Sequence, residues 1–481
     1  MSIYTTDIGL EVHVQLKTES KAFSGERNRF GDIANSNLSY TSLALPGTLP
    51  MLNKKTLEYA VTLGLALECE IAEYSYFDRK NYSYPDLPKS YQITQDAMPI
   101  CKGGHFKFKT SDGIKKINIH HIHIEEDAGK SIHDLDENVS CIDLNRAGTP
   151  LLEVVTEPEF KSGQEVYDFI AAFQTLLRFL DVSDANMEEG SLRVDCNISV
   201  REANDTQLGT RTEIKNVNSK KFARDAINFE ADRQVKIIQQ GGQVIQESRQ
   251  YIPEEGITQS MRRKEDALDY RYFPEPDLGG FQVNNEWLDQ IKAAMGRMPQ
   301  EVFEDLIQKH ALDEDSASIL SSNKTMANAY YILIERIDEA KLVSDFIIQQ
   351  SAHISQFNTI GTTDNFLIDQ IVELLEMVRD NKVSVSSAYK IIVPALSAHI
   401  KQSIEAFAKS KNIIQEEVNS QHVELCQKII TDHPKEAKSY INGKKALIGF
   451  FMGQFMRESQ TSTDPKEIQR IFVNLLSKKD D

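Results

Sequence analysis

The sequence has few cysteines and no long apolar run. Its five cysteines are an odd number, and no two of them have the spacing of a zinc site or a disulfide framework. No apolar stretch approaches the length that spans a bilayer, and the N-terminus lacks the basic segment and apolar run of a signal peptide. The sequence therefore predicts a cytoplasmic protein with reduced thiols and no membrane segment.

Basic residues are also scarce relative to acidic ones. The chain has 54 Lys and Arg against 72 Asp and Glu, a net charge of −18, whereas a generic nucleic-acid-coating protein would be basic. From Lys401 to the end there are 13 basic and 11 acidic residues, a balance of +2, which leaves −20 for the remainder. We therefore expect any contact with a polyanion in the C-terminal segment.

The hydrophobic pattern changes near Trp287. Before Trp287, segments in which apolar and polar residues alternate, as in strands, are interspersed with long helical segments. After Trp287, helical periodicity dominates and proline is rare. A chain of 481 residues is long enough for about three domains. We predict an α+β fold in which residues 1–292 form a strand-rich domain, residues 293–407 a helical domain and residues 408–481 a small helical tail.

The most informative stretch is a predicted β-hairpin between residues 188 and 218. Apolar residues at every second position from 192 to 200 alternate with polar ones that include Arg193 and Asp195, and Arg211, Glu213 and Lys215 share a face of the return strand. Metal-assisted phosphate chemistry needs carboxylates for the cation and basic groups for the phosphate. A solvated sheet face with cross-strand ion pairs explains the pattern equally well.

Three other predicted strands carry ionisable residues. Glu11 and His13 share the polar face of one, although a surface strand is the alternative. Glu153 lies in an apolar run, where a carboxylate is costly unless it is paired or bound to a metal. The strand over residues 114–131 contains Glu125-Glu126-Asp127, which suits a hard cation better than zinc. The Ala-Gly-Lys-Ser that follows is no P-loop, because Ile124 occupies the position of a required glycine.

The loop between residues 77 and 95 mixes basic and aromatic residues. Its two prolines predict that it contains no regular element. Such a loop can stack a base and hold phosphates, and packing on its own core is the alternative. A second aromatic and proline segment, Tyr270–Asp277, is expected to close the domain. The mixed residues of the loop are Arg79, Lys80, Tyr82, Tyr84, Lys89 and Tyr91.

Taken together, these segments are similar to the B subunits of aspartyl/glutamyl-tRNA amidotransferases, the GatB/GatE family. The similarity extends in order over nearly the whole chain. The matching blocks are Gly9-Leu-Glu-Val-His-Val, Phe77-Asp-Arg-Lys-Asn-Tyr, Tyr84-Pro-Asp, Glu125-Glu-Asp-Ala-Gly-Lys, Asn145-Arg-Ala-Gly-Thr-Pro, Glu188-Glu-Gly-Ser-Leu-Arg, Glu213-Ile-Lys-Asn, Asp269-Tyr-Arg-Tyr-Phe-Pro-Glu-Pro-Asp and Gly453-Gln.

The resemblance implies a fold and a reaction. The fold is a catalytic cradle on an antiparallel sheet, related to glutamine synthetase and guanidino kinases, followed by a helical domain and a tail that contacts tRNA. ATP, with Mg²⁺, would phosphorylate the side-chain carboxylate of mischarged Glu-tRNA(Gln) or Asp-tRNA(Asn), and ammonia would displace the phosphate. The enzyme would be a glutamine-hydrolysing carbon–nitrogen ligase.

The resemblance also implies partners. This chain shows no amidase serine signature, so it has no evident means of releasing ammonia from glutamine. The family's A subunit, an amidase that acts as the glutaminase, is therefore expected to supply the ammonia. The family's C subunit is expected to complete a heterotrimer, and mischarged tRNA is the expected substrate partner.

Roles for individual residues follow from the same resemblance. Mg²⁺ ligands are expected at Glu11, His13, Glu126, Glu153 and Asp195, and Lys80 is expected to act with them in catalysis. ATP and substrate contacts are expected at Arg79, Lys80, Tyr82, Lys89, Ser191, Arg193, Arg211, Glu213 and Lys215. Contacts with tRNA are expected at Lys444, Lys445, Gly449 and Gly453, where the glycines permit close approach of RNA or of another helix.

One departure from the family concerns zinc. Many members carry two pairs of cysteines near the N-terminus that bind the ion. The corresponding positions here are Ser24, Glu26, Ser39 and Ser42. Because hydroxyl side chains are poor zinc ligands, no structural zinc is expected.

Two other functions stay open at this point. One is a non-catalytic tRNA-binding or scaffold protein on the same fold, against which the retained carboxylates argue. The other is a free-standing ligase that amidates a small amino acid, against which the helical C-terminal domains argue. Dependence of ATP consumption on mischarged tRNA separates the three.

Overall fold

The computed structural model describes residues 3–132, 139–263, 269–350, 365–397, 402–415, 419–459 and 463–477. The chain divides into two compact units, Met1–Pro299 and Gln300–Asp481. The named strands all lie in the first unit and the second is helical, so the fold is mixed α+β, as predicted. Within the described ranges, no helix is both long and apolar enough to cross a membrane.

The first unit combines many strands with four helices among its described residues. The helices are α1 (Lys54–Ala66), α2 (Gly163–Phe179), α3 (Lys220–Gln239) and α4 (Asn285–Met295). The strands are β1 (Tyr4–Gln15), β2 (Glu70–Ile71), β3 (Tyr74–Ser75), β4 (Asp78–Asn81), β5 (Tyr91–Thr94), β6 (Cys101–Lys102), β7 (His105–Thr110), β8 (Gly113–Glu126), β9 (Lys130–Ile132), β10 (Cys141–Asp143), β11 (Pro150–Thr156), β12 (Leu192–Glu202), β13 (Thr212–Val217), β14 (Glu247–Ile252), β15 (Ile257–Arg263), β16 (Phe273–Pro274) and β17 (Phe281–Gln282).

A ten-stranded sheet, counted over the residues that the structure describes, forms the body of this unit. Its order is β15-β14-β13-β12-β1-β11-β8-β6-β2, with β7 paired to β8. The central strand β1 is antiparallel to both of its neighbours, β11 and β12. The β13–β14 pair is parallel. β12 and β13 pair antiparallel, so the predicted hairpin is present. It lies beside β1, the strand that carries Glu11 and His13.

One face of the sheet is apolar and covers the hydrophobic core. On β1, Ile8, Leu10, Val12 and Val14 are all almost completely buried, because a strand turns every second side chain to the same side. Each such aliphatic residue contributes roughly 1.5–3 kcal/mol of burial free energy. Because these apolar side chains face the core, the polar residues that alternate with them on β1 lie on the opposite face of the sheet.

The sequence predicts the starts of helices α2 and α3, because Ser162-Gly-Gln-Glu165 is a capping-box pattern and Ser219 is a cap residue, and both helices begin there. Ser162 Oγ accepts the N–H of Glu165 at 3.2 Å, and Ser219 Oγ accepts the N–H of Phe222 at 3.1 Å. Each bond satisfies one of the N–H groups that a helix leaves free at its first turn. The two helices pack against each other, and α3 also packs on β12, so they support the sheet from its apolar side.

The prediction that the proline-containing loop has no regular element is wrong at both ends. Residues Asp78–Asn81 form β4 and Tyr91–Thr94 form β5, and the two pair antiparallel. Pro85 and Pro88 lie in the connection between the strands, where neither has to donate a ladder hydrogen bond. β16 pairs with the other edge of β4, so the segment near Tyr270 is part of the same small sheet.

The second unit consists of short helices. Its C-terminal part has a separate core in which Phe451, Phe455 and Phe472 are completely buried. A π-helical turn, Ala388–Ile392, joins α10 to α11, and a 3₁₀ turn, Lys445–Leu447, precedes α15. The helices are α5 (Pro299–Gln308), α6 (Glu314–Ser321), α7 (Lys324–Ile334), α8 (Ala340–Gln349), α9 (Asn365–Arg379), α10 (Val385–Ser387), α11 (Val393–Ser397), α12 (Ile404–Ser410), α13 (Ser420–Asp432), α14 (Pro434–Ile441), α15 (Ile448–Glu458) and α16 (Pro465–Ser477).

Candidate active site

A histidine and two carboxylates meet on the polar face of the central strands. His13 of β1 lies opposite Glu153 of β11, and its Nε2 is 3.2 Å from Glu153 Oε2. The same nitrogen is 3.6 Å from Oε1 of Glu125, which comes from β8. Ligand atoms of the three residues all lie within 4.8 Å of one another, close enough to hold one metal ion. We call His13, Glu125 and Glu153 the histidine group.

A second group on the same face contains only carboxylates. Glu11 lies opposite Asp195, and Glu213 follows on β13, with ligand atoms of the three within 4.8 Å of one another. We call Glu11, Asp195 and Glu213 the carboxylate group. Lys215 Nζ adjoins it, 3.3 Å from Asp195 Oδ2 and 3.0 Å from Glu213 Oε1. Asn197 Nδ2 donates to Glu11 Oε1 at 2.9 Å and so orients that carboxylate.

The two groups differ in their electrostatics. Burial raises the pKa of Glu11 above its ordinary value. The negative charges of the neighbouring carboxylates Glu153, Glu213 and Asp195 raise it further. Burial alone would lower the pKa of His13, but the hydrogen bond to Glu153 and the charge of Glu125 raise it to about 9. Crowded carboxylates of this kind are stabilised by a divalent cation, so the donor sets fit a metal site.

Glu126, a predicted ligand, joins neither group. Its carboxylate lies on the other side of β8, where Oε1 accepts the N–H of Ile93 at 3.0 Å and pairs with Lys89. The reason is strand alternation: buried Ile124 and Glu126 point one way, and His123 and Glu125 point the other. The structure therefore places Glu125, not Glu126, beside His13.

Two residues of the site, Glu125 and His123, were not among the ligands predicted from the sequence. Glu125 was only one of three adjacent carboxylates at the end of β8, and His123 one of three nearby histidines. In the structure His123 Nε2 is 3.5 Å from Glu153 Oε2 and 3.8 Å from Glu125 Oε2. Gln92 Nε2 donates to Glu125 Oε2 at 3.0 Å. Strict alternation from the apolar Ile122 and Ile124 was the signal that could have found both.

The predicted basic residues have different partners. Arg193 lies opposite His13, and its Nη2 is 3.0 Å from Asp127 Oδ1. Lys80 on β4 contributes positive charge that helps to lower the pKa of Glu153, although burial opposes the shift and His13 and His123 contribute more. Arg79 instead binds the buried carboxylate of Glu275 through Nε at 2.7 Å and Nη2 at 2.8 Å.

Three other predicted contacts lie at the edges of this region. The Tyr82 ring is 6.0 Å from that of Tyr270 and 6.4 Å from that of Tyr84, centroid to centroid. Ser191 Oγ accepts the N–H of Asn186 at 2.7 Å, within the turn that leads into β12. Arg211 is exposed, immediately before β13.

The four positions that replace the family's cysteines do come together. Ser24 Oγ donates to Glu26, and Ser42 Oγ lies 3.4 Å from both Glu26 Oε2 and Ser39 Oγ. Hydrogen bonds among hydroxyls and one carboxylate thus connect the two halves of this loop. This set has a single charged oxygen ligand and no nitrogen or sulfur, which is a poor donor set for zinc.

The predicted tRNA residues lie in the second unit. Lys444 and Lys445 are exposed before α15, and Lys445 Nζ is 4.4 Å from the centroid of the Tyr440 ring. Gly449 and Gly453 are exposed on α15, and among the described residues nothing outside the helix lies within 4 Å of a Cβ built on either. Within the described part of the chain, these glycines are therefore not used for close packing against a neighbouring helix.

Two protein-family models match this chain. Residues 6–289 match the model of the GatB/GatE catalytic domain, and residues 329–476 match that of the GatB domain.

Curated relatives share the full length. Three are named as the B subunit of an aspartyl/glutamyl-tRNA(Asn/Gln) amidotransferase. That of Caldanaerobacter subterraneus subsp. tengcongensis is 40% identical, covering 99% of this chain and 100% of the relative. That of Thermoanaerobacter sp. strain X514 is also 40% identical with the same coverage, and that of Thermodesulfovibrio yellowstonii is 39% identical over 98% and 99%. On these matches, the chain belongs to the GatB/GatE family of amidotransferase B subunits.

Proposed function

We propose that this chain activates mischarged tRNA for amidation. ATP phosphorylates the side-chain carboxylate of Glu-tRNA(Gln) or Asp-tRNA(Asn), and ammonia displaces the phosphate to give Gln-tRNA(Gln) or Asn-tRNA(Asn). The observation that carries this proposal is the pair of acidic groups on one sheet face, with Lys215 and Arg193 beside them. A non-catalytic scaffold has no use for six metal-compatible ligands held within two clusters.

The chemistry explains why carboxylates and basic residues occur together. A carboxylate resists attack by ammonia because it is anionic and has no good leaving group, and phosphorylation supplies one. Bound Mg²⁺ would neutralise charge on the transferring phosphoryl group. The carboxylate group and the histidine group would each hold one ion, and Lys215 and Arg193 would hold phosphate oxygens. Asn197 and Gln92 keep two of the carboxylates in position by hydrogen bonds.

The remaining requirements fall to partners. The family name implies a complex of several subunits, in which the A subunit would release ammonia from glutamine while the C subunit holds the pair together. The catalytic unit would have the cradle architecture of glutamine synthetase and guanidino kinases, and the complex would act in the cytoplasm. No structural zinc is required in this chain, since the cluster around Glu26 is held by hydrogen bonds.

The tail would bind tRNA. Its charge balance is favourable, Lys444 and Lys445 are exposed, and the glycine face of α15 admits a sugar–phosphate backbone closely. The separate aromatic core of α13–α16 supports treating this part as a domain of its own, after a cradle at 1–292 and a helical domain at 293–407.

The test is amidation by the purified complex, supplied with Glu-tRNA(Gln) and Asp-tRNA(Asn) in parallel. We expect amidation to require ATP, and Asp195→Asn to reduce it by about 100-fold or more, because a neutral amide holds Mg²⁺ far less well than a carboxylate. Binding of tRNA to the variant, measured by filter retention, should stay within about twofold of the wild type. An Asp195→Asn complex with normal amidation would refute the proposed site.

A further inference from the structure

Four tyrosines from two distant chain segments form a continuous surface. We call Tyr82, Tyr84, Tyr270 and Tyr272 the tyrosine wall. The ring centroids are 6.4 Å apart for Tyr84 and Tyr82, 6.0 Å for Tyr82 and Tyr270, and 6.1 Å for Tyr270 and Tyr272. All three pairs meet edge to face, at interplanar angles of 66°, 75° and 65°, a stable arrangement of aromatic rings.

The wall is built on a fixed backbone. The N–H of Asn81 donates to the carbonyl of Tyr270 at 2.9 Å, and Asn81 Nδ2 donates to the carbonyl of Arg271 at 2.8 Å. The two-pronged bond from Arg79 to Glu275, whose side chain is fully buried, fixes the far end of the same segment. Arg79 is thus a positioning residue for the wall. A surface held in this way loses little entropy when a ligand stacks on it.

The wall is open to solvent on its outer side. Tyr84 is 60% exposed and Tyr272 41% exposed, although tyrosines that only fill a core are buried along most of their rings. A large aromatic surface that is both rigid and exposed is typical of a site that stacks a planar ligand.

The two middle rings of the wall, those of Tyr82 and Tyr270, connect it to the histidine group. Lys80 Nζ is 4.9 Å from the centroid of the Tyr270 ring, and Lys80 lies opposite Gln92 on the small sheet. Gln92 in turn donates to Glu125. Burial raises the pKa of Tyr82, and the next contribution comes from the carboxylate of Glu125. A ligand stacked on the wall therefore has a basic residue and a metal-compatible group beside it.

We propose that the tyrosine wall binds an adenine ring and directs the attached sugar and phosphates towards Lys80 and the histidine group. This inference rests on the proposed function, whose two substrates both carry adenine: ATP, and the terminal adenosine at the 3′ end of the tRNA. The wall recognises the flat apolar face that the two share. Stacking on aromatic side chains tolerates any base, so selectivity for adenine requires polar contacts beyond the wall.

The test replaces a tyrosine ring of the wall with the branched aliphatic side chain of leucine, in the assembled complex. We measure KM for ATP at saturating mischarged tRNA, and KM for mischarged tRNA at saturating ATP, for Tyr270→Leu and Tyr272→Leu. The matched control is Tyr74→Leu. Tyr74 is an exposed tyrosine on β3, which belongs to the two-stranded sheet of β3 and β17 and not to the small sheet beside the wall. Thermal unfolding of each variant shows whether it is folded, and Tyr272→Phe tests whether restoring a ring restores binding.

We expect one of the two KM values to rise by roughly tenfold in the wall variants, with kcat within about twofold, because a lost base–aromatic stack weakens binding by roughly 5- to 100-fold. A raised KM for ATP assigns the wall to the nucleotide, and a raised KM for tRNA assigns it to the terminal adenosine. Tyr272→Phe should recover most of the loss. If the wild type is active and both folded Leu variants keep both KM values, the wall proposal is wrong; a wild type without ATP-dependent amidation refutes the proposed function instead.

Discussion

At the scale of single residues, the neighbours Glu125 and Glu126 show how strand direction assigns chemistry. The two residues are adjacent in sequence, yet Glu125 borders His13 whereas Glu126 pairs with the half-buried Lys89 on the other side of β8. Glu125 belongs to the metal-compatible histidine group, whereas the carboxylate of Glu126 is paired with Lys89 and the N–H of Ile93. A substitution that removes only the negative charge therefore has a different consequence at each position.

We predict that Glu125→Gln impairs activity and Glu126→Gln impairs stability. The first removes a proposed Mg²⁺ ligand and should lower kcat by about 100-fold, with the free energy of unfolding changed by less than about 1 kcal/mol. The second removes the charged partner of Lys89, whose side chain is only 12% exposed, and should cost about 3 kcal/mol of unfolding free energy. Amidation rates and urea unfolding of both variants check this. Equal loss of stability in the two would contradict the assignment.

A second residue-scale prediction concerns acid stability. Asp7 is buried beside Arg201, at 2.6 Å, and Lys161, and these bonds lower its pKa although burial opposes the shift. The carboxylate therefore stabilises the fold above its unfolded pKa of about 3.9, and this contribution is lost as the pH falls through the lowered folded value.

Asp7→Asn should accordingly lower the free energy of unfolding by about 1–3 kcal/mol near neutral pH, and by much less at about pH 2–3, where Asp7 itself becomes protonated. Urea unfolding across this range is the measurement. The same penalty at both ends of the range would show that packing, and not the charge of Asp7, is responsible.

At the scale of elements, glycines in two helices serve opposite purposes. A Cβ at Gly163, the first residue of α2, would lie 2.5 Å from the carbonyl oxygen of Arg224 on α3, so this glycine allows the two helices to approach. At Gly453 of α15, no atom of the described residues outside the helix lies within 4 Å of the same position. The first glycine is needed by the fold, and the second is available to a ligand.

We predict that Gly163→Ala destabilises the protein by about 1–3 kcal/mol, since backbone atoms cannot give way easily. Gly453→Ala should stabilise it by about 0.5–1 kcal/mol, because alanine is the better helix former. Its added methyl group should nevertheless raise KM for mischarged tRNA severalfold. Thermal unfolding and kinetics of both variants check the pair. Unchanged tRNA kinetics in Gly453→Ala would remove this helix face from the RNA contact.

The elements themselves were largely predictable, but apart from the hairpin of β12 and β13 their pairing was not. Ser162 and Ser219 begin helices because their hydroxyls cap the first turn, a local effect that the sequence displays. The alternation from Ile122 and Ile124 points to Glu125, but its meeting with His13 and Glu153 depends on how β1, β11 and β8 pair, which is a non-local property. The strands β4 and β5 escape prediction because two prolines argue against any regular element in the loop, whereas both prolines occupy only its turn.

At the scale of the whole molecule, charge and chemistry are divided along the chain. The segment before Lys401 carries a net −20 and includes both acidic groups, while the remainder carries +2 and the exposed Lys444 and Lys445. A strongly acidic body repels a polyanion, so affinity for tRNA has to come from a limited basic surface.

We predict that removing α13–α16, by ending the chain at Gln415, leaves the first unit folded. The cut keeps α12 and the bridge between Val383 and Ile414, and the removed helices have their own core. KM for mischarged tRNA should rise by about tenfold or more as phosphate contacts are lost. Kinetics and thermal unfolding of the truncated complex test this, and an unchanged KM for tRNA would refute the division.

The central claim is that the substrate's carboxylate becomes phosphorylated before ammonia attacks it. The most direct measurement uses mischarged tRNA whose side-chain carboxylate is labelled with ¹⁸O, and follows the label into the inorganic phosphate released during amidation. Because the bond between carbonyl carbon and bridging oxygen breaks, we predict that each phosphate released in amidation carries one oxygen from the carboxylate. Phosphate without ¹⁸O, released in step with amidated tRNA, would contradict the account.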